Sequence, residues 1–517
     1  MTAPASDGAA AEAIDASAPG AARARPQRRG PADLPFTFPN TELANEIAAR
    51  RGEPDWLRAD RLAAAEAYAS LPIELNQLYT TYIDLRSADL MAVRPYTAAA
   101  DGPATEGGAT SADAGTAAFI ELREDGIAAL TISPTAAAAG VRLESLGAAL
   151  ARDPDGVRAD LTAGTLPADD KLAQLSRAFW SQGVRLVVPD GIRLAEPVVI
   201  RWAAGVPDRA LVTRTIVHLG VGAEASLVEE LVASGPAIVC AAGEAVPQSL
   251  FSGTLEVTLE ARAKLAVGSI QDLPTGVTTI QHRHATIGEG ASLRWALAQL
   301  GSRVVRSRVD NRLEGDRSSV EQVEIVFGSG EQVVDLTSYT RHLGRDTTGN
   351  LLSKGVLLGG ARTYMKGLIT IEKSAVGTDS FLGEFGMNLS RRARAVAIPS
   401  LEIDQPDCRR AAHSSSVGPI DESQLFYLES RGIPPDEARK YIVLGFLEPV
   451  VARVPLASAE ERLRELLEEK WTAAFAEVAA DEIPPEEAPA GGPLAAGSLA
   501  AGSLAAGSAS AESASAA

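Results

Sequence analysis

The hydrophobic pattern changes character along the chain. From Asn40, the residues Leu43, Ile47, Trp56, Leu57, Leu62, Ala65 and Tyr68 recur at helical spacing until Pro72 stops them, which predicts an N-terminal helical element. AFIELREDGIAALTI reads as two strands around Asp125-Gly126, a common hairpin pair, and Leu172 to Trp180 reads as another amphipathic helix. A new regime starts at Gly183. VRLVVPDGIRLAEPVVIRW sets short apolar runs around Pro189-Asp190-Gly191, and this rhythm of brief strands and tight turns continues for about 220 residues.

Within that stretch a degenerate seven-residue unit recurs: an aliphatic residue, three turn-like residues, a small residue, a variable one, and often another aliphatic. It appears as VGAEASL from Val221, LEARAKL from Leu259, IGEGASL from Ile287, LEGDRSS from Leu313 and LSRRARA from Leu389. The starts lie 38, 28, 26 and 76 residues apart, and the last gap has room for a divergent copy at LLGGART from Leu357. Irregular recurrence of this kind suits a β-solenoid, whose coils bury a strand face against the next while loop lengths vary. Periodicity alone also allows a sandwich.

The segment Pro399 to Phe446 reads as a strand, a polar loop holding Cys408 and His413, and two capped helices. Asp421 is a good N-cap before Leu425, Phe426 and Leu428, Gly432 stands at a C′ position, and Pro434-Pro435 open the second helix, which continues through Ala438, Tyr441, Ile442 and Phe446. Ser458 and Glu461 suggest a capping box for a further helix reaching about Val478, with Leu463, Leu466, Leu467 and Trp471 as its packing side. Residues 1–35 and 479–517, the latter with LAAGS repeated at 494, 499 and 504, read as disordered tails.

The LEI strand, the His-containing stretch followed by VGPID, the run QLFYLESRGI and the closing EARKYIVLGF together resemble the C-terminal signature of the SufB/SufD scaffold proteins of iron-sulfur cluster assembly. Phe179 to Ile200, RTIVHLGVGAEASLVEE and, more weakly, Trp56, Arg61, Tyr68 and LPIELNQLYTTYIDL are similar to earlier parts of the same family. The resemblance covers roughly residues 40–455. It implies a right-handed parallel β-helix flanked by helical ends: a helical and mixed region over 36–180, the β-helix over 181–405 and a C-terminal helical region over 406–478. It also implies pairing with a SufB-like scaffold through the C-terminal end of the β-helix, near Ala393 to Ile403, and docking of a SufC-like ABC ATPase through about 420–455. A solenoid with an uncovered last coil exposes unpaired backbone groups, and a partner is the natural cover.

The resemblance makes His413 the leading metal ligand, toward a transient iron-sulfur cluster at the partner interface, and a neutral imidazole suits iron. By residue type alone, a hydrogen-bonded loop histidine is the commoner outcome. Cys408 is a second candidate, equally readable as a small packing residue, since family members often carry the cysteine where this chain has Ala411 and Ala412. Where SufB-type members place a cysteine and an acidic residue, this chain has Ile403 and Ser414, which makes it SufD-like. A SufB-like cluster carrier and a β-helix carbohydrate-active protein are the alternatives. His282 and His284 alternate on one strand and so share a face, read here as an exposed polar one. His218 and His342 carry no pattern.

Composition then narrows the classes. The 517 residues are 46% hydrophobic and 22% charged, enough for a sizeable core, and 48 basic against 67 acidic residues give −19, which argues against nucleic-acid or anionic-membrane partners. Only Cys240, in the apolar run PAIVCAA, and Cys408 are present, which excludes a disulfide framework or a four-cysteine metal site and suits a reducing, cytoplasmic setting. There is no apolar h-region and no run of roughly 18 apolar residues. GVLLGGART lacks the Lys-Ser/Thr ending of a P-loop, so no ATPase chemistry, and no enzyme activity, is expected of this chain.

Overall fold

Asn40 opens the first helix as expected: its Oδ1 accepts the Leu43 amide at 2.8 Å, and Gly52 closes the helix at φ 63°. The structure, a computed structural model, describes residues 37–72, 88, 90–97, 115–163, 166–235 and 247–481. The terminal tails, most of the 98–116 linker, the LPIELNQLYTTYIDL segment from Pro72 onward and Cys240 lie largely or wholly outside the described residues. The N-terminal elements are α1 (Thr41–Arg51), α2 (Asp55–Ser70), β1 (Arg94–Pro95), β2 (Ala118–Arg123), β3 (Gly126–Ile132), α3 (Pro134–Ala138), β4 (Arg142–Ser145), α4 (Leu146–Arg152), α5 (Pro154–Thr162) and α6 (Lys171–Phe179). β2 and β3 form the antiparallel hairpin around Asp125-Gly126.

The strand-turn rhythm is a parallel β-solenoid. Its strands are β5 (Gln182–Val188), β6 (Val198–Ala204), β7 (Arg209–Leu219), β8 (Glu224–Ala233), β9 (Ser249–Leu259), β10 (Lys264–Gln271), β11 (Val277–Ile287), β12 (Ser292–Gln299), β13 (Val304–Leu313), β14 (Ser319–Gly328), β15 (Val333–His342), β16 (Thr348–Leu357), β17 (Arg362–Ile371), β18 (Asp379–Asn388), β19 (Arg394–Ile403) and β20 (Arg410–Gly418). Odd strands from β5 to β19 stack in parallel as one sheet and even strands from β6 to β20 as the other. Each coil therefore gives one strand to each sheet. Alternate residues point inward, where Val217, Leu227, Leu255, Leu265, Ile287 and Leu293 belong to one buried apolar core.

The corner between the two sheets explains the seven-residue unit. Gly222, Arg262, Gly290, Arg317, Asp346 and Gly377 occupy it in successive coils, all with φ between 54° and 78°. Each N–H donates to a corner carbonyl of the next coil, from Gly222 to Ala261 through Gly377 to Asp407, at 2.7–2.9 Å. The 76-residue gap thus hides two copies, the corners at 343–347 with Asp346 and at 372–378 with Gly377; LLGGART and LSRRARA belong to the opposite corner, between β16 and β17 and between β18 and β19. The two corners merged in the sequence because the left-handed position accepts Gly, Asp or Arg when the coil-to-coil bond holds it. Beside it, Gly315 has no space for a side chain: a Cβ there would lie 2.0 Å from the Glu289 amide nitrogen. Gly315→Ala is expected to cost about 1–3 kcal/mol, read as a lower urea midpoint; an unchanged midpoint would show that the corner relaxes freely.

Helices cover both outer sheet faces. Leu57, Ala64, Leu172, Leu175 and Phe179 pack on Ala210, Val212, Leu250, Ile280 and Val304 of the odd-strand sheet. On the even-strand sheet, Val443, Leu447, Leu463 and Trp471 of α8 (Pro435–Val451) and α9 (Ala457–Asp481) pack on Val228, Ile270, Val323, Ile325 and Phe327. α9 begins at Ala457, so Ser458 lies inside its first turn rather than at its cap. α7 (Glu422–Glu429) is capped by Asp421, whose Oδ1 accepts the Ser423 amide at 2.8 Å, and buries none of its residues. In α8 the buried stripe is Ala438, Val443, Leu447, Val450 and Val451; of the apolar set read from the sequence, Ala438 belongs to it, Ile442 and Phe446 pack half-buried against the same core, and Tyr441 is exposed.

Candidate functional site

Among the described residues β19 and β20 are the last strands of their sheets, each paired on one side, with β17 and β18. Burial falls away there: β18 is half buried and half intermediate with no exposed residue, β19 is mostly half-buried and β20 mostly exposed. The solenoid interior therefore opens at this end among the described residues. His413 lies within β20, a correction to the loop expected around it, and pairs in register with Leu382. Leu382 belongs to an interior cluster with Leu351, Ile369, Ile371 and Ala375, so His413 stands on the inward-facing row of the terminal coil while its side chain is exposed. AAHSSSV did not read as a strand because no further coil buries this one, and without a buried face the apolar alternation is not required.

Cys408 lies in the connection from β19 to β20, a free thiol half-buried against that same interior cluster beside Leu401 and Ala411. Among the described residues no three His, Cys, Asp or Glu side chains converge as a metal site.

One acid at this end escaped the sequence reading. Glu384 of β18 is 1% exposed, and its register partner is Ser415, so it shares the inward row with Leu382. Burial pushes its carboxyl up to about 8, offset in part by the Ile398 amide, and among the described residues Oε2 has no hydrogen-bond partner. Across the interior, Gly367 leaves space for it: a Cβ there would come within 2.9 Å of Glu384 Oε1. The only sequence signal was a glutamate inside the apolar run FLGEFG.

His282 and His284 do share a face, but it is buried, not exposed, at 2% and 4%. The N-terminal helices cover it, which strand periodicity alone cannot reveal. His282 Nε2 lies 2.7 Å from Asp310 Oδ2, and Arg308 bonds both Asp310, at 2.8 Å, and Asp170. Asp170, the N-cap of α6, also accepts Arg306 at 2.7 Å and the Ala173 amide at 2.7 Å. Burial pushes Asp170 up, but Arg306, Arg308 and His282 together outweigh it and hold the carboxyl well below the usual range. Burial lowers His284 to about 4, leaving it neutral. This cluster joins the helical layer to the sheet; a cavity of about 800 Å³ lies beside it, lined in part by His284, Arg308, Tyr339 and Arg341. His342 is likewise buried, bonded to Thr347 and Ser380, and His218 faces Asp160.

Beyond the terminal coil, α7 and α8 leave Phe426, Tyr427 and Tyr441 exposed at 72%, 57% and 56%. No described helix is long and apolar enough to cross a membrane.

The family described as SUF system FeS cluster assembly, SufBD core domain, matches residues 202–446, from β6 through the terminal coil into α8. The iron-sulfur cluster assembly protein SufD of Bacillus subtilis (strain 168) is 30% identical over 318 residues, covering 61% of this chain and 68% of that protein. An iron-sulfur cluster assembly SufBD family protein of Mycobacterium leprae (strain TN) is 30% identical over 322 residues, covering 60% and 77%. One from Staphylococcus epidermidis is 27% identical over 297 residues, covering 57% and 62%. With matches of this extent across the solenoid and its terminal coil, the chain belongs to the SufBD family of iron-sulfur cluster assembly proteins.

Proposed function

We propose that this chain is the SufD-like, non-enzymatic scaffold subunit of a cytoplasmic cluster-assembly complex. It pairs with a SufB-like scaffold, contributes His413 to a transient iron-sulfur cluster at the joint, and docks a SufC-like ABC ATPase through α7 and α8. The observation that carries this reading is the uncovered terminal coil. Among the described residues its two edges, of ten and nine residues, have no strand beyond them; the Ala395 amide donates to Asn388 Oδ1, and the remaining edge groups form a template that a partner strand completes. His413 stands on that coil, so a partner seated there would share it.

The SufD-like assignment is supported by Ile403 and Ser414, which give the terminal coil neither a thiolate nor a carboxylate at those places. Soft ligands then come mainly from the partner. Docking of the ATPase is supported by Phe426, Tyr427 and Tyr441, since solvent-facing aromatics on adjacent helices suit a protein contact.

The test is co-expression with SufB-like and SufC-like partners and purification without oxygen. His413→Ala is expected to leave the complex intact and to lower its iron, sulfide and visible absorption several-fold. An intact complex with unchanged cluster removes His413 from the chemistry. Val396→Asp, on β19, is expected to weaken association with the sister scaffold, and unimpaired association would place the interface elsewhere.

A further inference from the structure

Resting on that reading of the terminal coil, we propose that Glu384 is a second iron ligand of this chain, a carboxylate that meets the cargo from inside the solenoid, one strand beneath His413. Register carries the placement. Leu382 pairs with His413 and Glu384 with Ser415, so Glu384 and His413 sit diagonally on one inward face of adjacent strands, a separation that long side chains bridge.

Other buried acids of the solenoid are matched: Glu229 by Arg283 and Ser269, Glu256 by Arg214 and Asp335 by Lys366. Glu324 also leaves its Oε2 without a hydrogen bond, but its Oε1 accepts from the Ser307 hydroxyl and the Gln299 amide, and it lies on β14, two strands deeper in the same sheet. Glu384 forms no ion pair among the described residues, and its Oε2 is buried without a hydrogen bond. A buried polar atom left without a partner weakens a fold, and such atoms concentrate where a ligand completes them. Toward the terminal coil the carboxylate has one strand above it, which carries exposed His413 and Ser415, and among the described residues no further coil follows. Imidazole nitrogen and carboxylate oxygen are both suitable donors to ferrous iron.

The experiment uses the anaerobically purified complex, stripped of metal and titrated with ferrous ion, with Glu384→Gln, Glu384→Leu and His413→Ala beside wild type. Glu384→Leu suits an apolar interior and supplies a folded variant should the amide disturb assembly. Expected are an intact complex, ferrous affinity lower by about tenfold or more in either Glu384 variant, and one fewer oxygen or nitrogen neighbour of iron by X-ray absorption. Wild-type affinity and iron surroundings in the Glu384 variants, with loss in His413→Ala, would overturn the Glu384 role and leave His413 standing. Wild-type behaviour in all three would remove both residues from the site.

Discussion

Asp170→Ala is expected to loosen the N-terminal helical layer from the solenoid at a cost of about 3–5 kcal/mol, since it strands buried cations without their partner. Asp170 is 4% exposed and accepts from Arg306 and Arg308, themselves buried on β13, while its other oxygen caps α6 through the Ala173 amide. The substitution therefore removes two ion pairs and a cap in one step, and loss of the cap alone is worth about 1 kcal/mol. Hydrogen exchange should show α6 losing protection while β15 to β18 keep theirs. Asp170→Asn, which retains an acceptor but not the charge, should fall between the two. If α6 stays as protected as in wild type, the charged joint is not what holds the layer. Mild acid should weaken the same joint: His284 is held at about 4 against an ordinary 6.5, so the folded state favours its neutral form and stability is lost as pH falls from 6.5 toward 4.

That joint marks the limit of reading a solenoid from its sequence. Helix starts were legible because Asn40, Asp421 and Pro435 act through the residues beside them. The hairpin at Asp125-Gly126 and the packing of Leu463, Leu467 and Trp471 were legible for the same local reason. His282 and His284 were misjudged as exposed because their cover is Asp170 and the helices around it, more than a hundred positions away. In a solenoid with helices on both outer faces, inward and outward rows are both buried, so alternation no longer separates core from surface. His413 was found through its surroundings in the signature, yet its strand went unseen because the terminal coil has no neighbour to impose a pattern on it. Glu384 was missed for the opposite reason: a glutamate among Phe, Leu and Gly reads as one polar interruption until register shows which row it occupies.

Glu384→Gln in the isolated, metal-free chain should show a stability difference that depends on pH in one direction. Burial raises the folded carboxyl to about 8, against 4.5 ordinarily, so the folded state favours the protonated acid. Its contribution is fully present below 4.5 and is lost as pH rises through 8. Glutamine cannot ionise and carries no such loss. Whatever the difference between the two proteins at pH 4, it should shift toward the variant by up to about 5 kcal/mol by pH 9, at about 1.4 kcal/mol per unit between the two values. Urea midpoints at pH 4, 6, 8 and 9 measure the shift. A difference independent of pH would mean that the carboxylate is solvated in the folded chain, through an interior open wider than its 1% exposure indicates. A shift that disappears once ferrous ion is added would have a different cause: metal bound at the terminal coil takes the place of the proton, because a cation there stabilises the ionised carboxylate that burial opposes. Proton and iron would then compete for one oxygen pair, so stability against pH and affinity for iron report on the same side chain from opposite directions.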